Sequence, residues 1–123
     1  MTELDRRKFY IDGSWVDPST PNDLVVMNPA TEEPIATISM GTSADVDRAV
    51  AAANRAFAEF SRTSKSDRID LLEEILKIYK RRIKEFADTI TAEMGAPTKL
   101  SVNAQAPVGI GHLEGFLAAL KKI

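Results

Sequence analysis

The chain has 123 residues, of which 16 are lysine or arginine and 18 are aspartate or glutamate, for a formal net charge of -2. One domain is expected at this length, and so even a balance argues against a nucleic-acid groove or a polybasic membrane patch, both of which need a concentrated positive field. Cysteine is absent, which excludes disulfides, thiolate metal sites and cysteine nucleophiles within these residues.

Met1 to Lys8 is polar with no apolar signal region, and no later apolar run approaches the about 18 residues of a bilayer span, so a soluble, cytoplasmic protein is expected. Lys8 to Val16 places two short aromatic and β-branched runs around Asp12-Gly13, a dipeptide suited to the positive φ angles of a type I′ turn. Tyr10 and Trp15 then read as a cross-strand pair rather than a ligand platform. Pro18 to Asp23 is a loop by composition. Leu24 to Asn28 is β-branched enough for a buried strand, Asn28 to Thr31 is a turn around Pro29, and Glu33 to Met40 returns as its partner. Two hairpins are thus expected before any helix.

Thr42, with Asp45 three residues on, opens the first helix through a short-chain capping box. Its apolar stripe runs through Val46, Ala49, Val50, Ala53, Phe57 and Phe60. After a short polar connection, Ser64 and Asp67 repeat the same start. The second helix carries Ile69, Leu72, Leu76, Tyr79, Ile83, Phe86, Ile90 and Met94 in one stripe, with its other faces reading as charged. Gly95 supplies a left-handed cap and Pro97 stops the ladder. Some thirty residues at 1.5 Å each make about 45 Å, against a radius of gyration of about 14 Å for a globule of this size. Such a helix is expected to belong to a larger body. The short connection predicts that the two long helices run antiparallel. Beyond Pro97, Ser101 to Ala106 suggests a helical turn, and Pro107, Gly109, Gly111 and Gly115 predict a broken C-terminal helix that still keeps Ile110, Leu113, Phe116, Leu117 and Leu120 at helical spacing. The fold class expected is α+β.

Candidate chemistry is sparse. His112, the single histidine, has no neighbouring cysteine or carboxylate cluster to make a metal site by spacing and reads as structural or surface. Gly109-x-Gly111 with Gly115 misses the spacing and the preceding strand of a phosphate loop. Lys80, Arg81, Arg82 and Lys84 are followed by Glu85 and preceded on earlier turns by Glu73 and Glu74, as on a solvated helix face that also complements the macrodipole. No constellation supports catalysis by these residues.

In order and wording, FYIDGSWV (Phe9 to Val16), VMNPATEEPIATI (Val26 to Ile38), ADVDRAVAAANRAF (Ala44 to Phe57), RIDLL (Arg68 to Leu72) and TAEMGAP (Thr91 to Pro97) resemble the N-terminal segment of the NAD(P)-dependent aldehyde dehydrogenase superfamily. The family usually has glycine where this chain has Glu32, so Glu32 must accept that turn geometry or the turn differs locally. The resemblance implies one incomplete domain over 1–123, with a hairpin lead-in at 1–41 and a helical part at 42–123, belonging to the Rossmann-like cofactor domain of a larger enzyme. It further implies an aldehyde-oxidising activity with NAD or NADP as acceptor, performed by a cysteine nucleophile, an oxyanion site and a glutamate that all lie outside this segment. No catalytic or cofactor-binding residue carries over, and the chain by itself is expected to bind no cofactor. One minor site does carry over from the resemblance: a monovalent cation held by the carbonyls of Val26 and Met27 and by Glu93. The plainer reading of Glu93, a solvent-facing glutamate in the last helical turn, is favoured. The partner implied is the remainder of such an enzyme, with self-association a further expectation, and the competing reading is a stand-alone helical interaction module derived from the family.

Overall fold

The computed structural model describes residues 4–123, which form two compact units, one ending at Arg62 and one beginning at Thr63. The polar lead-in expected over Met1 to Lys8 falls partly on residues 1–3, outside the described residues. The class is α+β, as expected.

In the first unit, β2 (Phe9–Ile11) and β3 (Ser14–Val16) form the first hairpin. Asp12 and Gly13 take φ of 55° and 76°, the signs a type I′ turn requires. Tyr10 lies opposite Trp15, and their rings meet edge-on at 5.2 Å. The second hairpin joins β4 (Asp23–Asn28) to β5 (Glu33–Ser39). Its turn is closed by Asn28, whose side-chain Oδ1 accepts from the Ala30 N–H at 2.9 Å while its carbonyl accepts from the Glu32 N–H at 2.8 Å. Glu32 does accept the glycine geometry, at φ 59°. A register shift falls between Val26 and Met27, opposite Pro34, which has no N–H for the ladder.

One strand was not legible in the sequence. Leu4–Arg6 forms β1, parallel to β5 with Leu4 facing Ala36 and Arg6 facing Ile38, so the sheet order is β1-β5-β4. Its side chains are all exposed. Pairing with the open backbone groups of β5, rather than apolar alternation, makes it a strand. The unit closes with α1 (Ser43–Phe60), whose contacts reach β2.

The second unit is built on α2 (Lys65–Met94), 30 residues capped as the sequence predicts. Ser64 Oγ accepts from the Asp67 N–H at 3.0 Å, and Asp67 Oδ2 accepts from the Ser64 N–H at 2.8 Å. Gly95 ends the helix at φ 65°, with its N–H bonded to the Thr91 carbonyl. The predicted stripe is half-buried at Ile69, Leu72, Leu76, Tyr79, Ile83 and Ile90, while Phe86 and Met94 are exposed and Ala87 is the most deeply buried position. The faces outside that stripe are not purely charged: Leu71, Ile75 and Ile78 lie exposed along the helix.

Inside this unit the partner of α2 is α4 (Pro107–Lys122), which runs antiparallel to it, as the pairs Lys80–Glu114 at 2.7 Å and Glu73–Lys121 at 2.6 Å show. The irregularity lies ahead of α4, not at the glycines from which a break was expected. A three-residue helical segment α3 (Thr98–Leu100) runs into a π-helical turn over Ser101–Gln105, where the Ala106 N–H reaches back to the Ser101 carbonyl at 2.9 Å. Pro107 offers no N–H, and its ring clashes with the carbonyl four residues back in a regular helix; the wider turn eases that clash. After it, α4 continues unbroken through all three glycines. Gly109 is required by packing, since a Cβ there would sit 2.5 Å from Tyr79 Oη, the atom that donates to the Ala106 carbonyl at 2.9 Å. Gly111 meets nothing within 4 Å.

Two predictions follow from this backbone. Gly111→Ala should raise stability by about 1 kcal/mol through helix propensity, whereas Gly109→Ala should lower it by about 1–3 kcal/mol through overpacking against Tyr79; urea unfolding of both variants checks the opposite signs. Glu32→Gly should be neutral or stabilising by up to about 1 kcal/mol, because the strain of a left-handed glutamate is relieved against a modest gain in unfolded-state entropy. A loss of stability on that substitution would show that the side chain, not the turn, matters there.

Candidate functional site

The most elaborate polar centre lies at the start of α1. Asp45 is only 4% exposed, and its carboxylate is surrounded by donors. Oδ2 accepts from the backbone N–H and the hydroxyl of Thr42, each at 2.9 Å. Oδ1 accepts from the backbone N–H and the hydroxyl of Ser19, each at 2.8 Å, and from Arg48 at 3.1 Å. Arg48 in turn donates to the Asp17 carbonyl at 3.0 Å. The loop before β4 is thereby tied to the first turn of α1. Donation from Thr42 and Ser19 holds the Asp45 carboxyl far below the usual carboxylate range, so it stays ionised and is no proton acceptor. Its lone pairs are committed to the fold.

Beside this centre, Asp5, Arg7, Lys8, Asp17, Pro18, Pro21, Asp23 and Ser39 line an open depression of about 390 Å³. Arg7 bonds Asp5 at 2.8 Å and Asp23 at 3.3 Å, and its hydrogen bonds hold Asp5 down to about 2. The cations of the depression thus face carboxylates of the same depression. Ser39 Oγ, buried nearby, has no partner among the described residues.

In the second unit, Ser101 is fully buried where the π-helical turn begins; its hydroxyl accepts from Thr91 Oγ1 at 2.9 Å and donates to Gln105 Oε1 at 3.3 Å. This ties the last turns of α2 to the segment after Pro97.

The residues singled out from sequence fall as follows. Val26 and Met27 lie on β4 at the register shift, in the first unit, and Glu93 is exposed in the last turn of α2, in the second. Among the described residues no group of three or more histidine, cysteine or acidic side chains is placed to hold a metal ion. His112 is exposed on α4. Gly109 and Gly111 stand inside that helix instead of before its first turn, so they form no phosphate loop. Lys80, Arg82 and Lys84 reach Glu114, Glu85 and Asp88 in exposed pairs, in line with the solvated helix face expected there. The local sequence marks Asp45 only as a cap. Nothing in the local pattern links it to Ser19, 26 positions earlier.

The aldehyde dehydrogenase family model matches residues 15–123. The chain belongs to the aldehyde dehydrogenase family. It is 50% identical over 116 residues to 3-succinoylsemialdehyde-pyridine dehydrogenase of a Pseudomonas species, a match covering 94% of this chain and 24% of that protein. Its fold matches the crystal structure of an aldehyde dehydrogenase from Bartonella henselae with a TM-score of 0.96 at 47% identity, over 98% of this chain and 25% of the other. The Mycobacterium tuberculosis aldehyde dehydrogenase complexed with NAD+ matches with a TM-score of 0.91 at 30% identity, over 99% and 26%. The chain therefore spans about a quarter of the length of these relatives. Among the described residues no helix is long and apolar enough to cross a membrane.

The Asp45 centre generates a pH prediction. A carboxyl whose folded-state value is depressed adds stability that is complete above its unfolded value, about 4, and is lost as the pH falls toward the folded-state value. Asp45→Asn should lower the melting temperature at neutral pH and flatten the acid limb of the stability profile. Asp5 and Asp67, also held low, keep the remaining slope. Parallel acid limbs for the two proteins would show that Asp45 is not the staple.

Proposed function

We propose that this chain is the N-terminal part of an enzyme that oxidises aldehydes with NAD or NADP as acceptor, and that its own contribution is structural support of the cofactor-binding, Rossmann-like domain. The observation that carries this reading is the near-complete match of the chain to about a quarter of much longer aldehyde dehydrogenases, combined with large apolar side chains left exposed on its helices. Phe57 and Phe116 are 66% and 68% exposed, the condition of surfaces that an adjoining body covers. In this reading a nicotinamide cofactor bound by the whole enzyme would supply the hydride acceptor for the aldehyde. These residues hold the elements behind it in position. A cysteine nucleophile would come from elsewhere in the enzyme, since this chain has none. A cytoplasmic location and an oligomeric assembly belong to the same proposal.

The test is complementation. The chain alone should produce no NADH from an aldehyde and should bind no nicotinamide dinucleotide, whereas mixing it with the separately expressed remainder should restore some NAD-dependent oxidation. Saturable micromolar binding by the purified chain alone would reveal a site within these residues and overturn the supporting role. The second reading, an independent helical module, rests on the same exposed faces. Sedimentation at several concentrations separates the two, since a discrete, stable oligomer with a concentration-dependent melting temperature favours the module.

The monovalent-cation reading of Val26, Met27 and Glu93 is part of the proposal for the whole enzyme. A rise in melting temperature specific to Na⁺ or K⁺ over choline, abolished by Glu93→Ala, is the outcome expected of a ligand. An ion-independent melting temperature would assign Glu93 to solvent.

A further inference from the structure

No further inference is drawn: the strongest candidate, the exposed apolar stripe that Val46, Val50 and Phe57 form along α1, is an unpartnered helix face, and nothing in the structure shows what covers it.

Discussion

The first unit depends on one carboxylate accepting more hydrogen bonds than its own helix supplies. A first-turn aspartate ordinarily closes a capping box and leaves an oxygen to water. In Asp45 the second oxygen is taken by the N–H and hydroxyl of Ser19 and by Arg48, so the cap of α1 is also the anchor of the loop that leads into β4. A buried ion is costly unless every lone pair is satisfied, and Asp45 meets that condition with five donors from three residues. Hairpins, loop and helix are held in one unit by polar geometry, because apolar burial there is slight.

The second unit uses close backbone approach instead. Gly109 lets α4 settle against Tyr79, whose hydroxyl donates to the Ala106 carbonyl at 2.9 Å. The π-helical turn leads into Pro107 at the start of α4, and the absence of a side chain at Gly109 leaves room for Tyr79 of α2. The ion pairs between α2 and α4 are exposed and add little energy, but they agree with the antiparallel register.

Among the described residues, the buried apolar positions are Ala36, Ala52, Ala87, Ala106 and Leu117. Four of the five are alanine, and each fills little volume. Trp15, Phe57 and Phe116 are all largely exposed, as are Leu71 and Ile75 on α2. Leu117 apart, the buried apolar positions are small, while the larger side chains are half-buried or exposed. A chain with this distribution leaves much apolar surface exposed, which accords with a segment spanning about a quarter of its relatives' length.

The sequence by itself determined whatever is settled within a few residues. Asp12-Gly13 dictated its turn through positive φ, Ser64 with Asp67 and Gly95 with Pro97 set both ends of α2, and Asn28-Pro29 set the second hairpin, because each rests on hydrogen bonds or steric limits spanning one turn. The family motifs, being local words in a fixed order, were legible for the same reason. Tertiary structure alone decided that Leu4–Arg6 is a strand, that Asp45 reaches Ser19, that Ala87 is the buried centre of α2 and that Gly109 serves Tyr79. Those outcomes join positions far apart in the chain. Their energy comes from filling open backbone groups and small spaces that exist only after the elements meet, and no periodicity in the sequence records where those spaces will be.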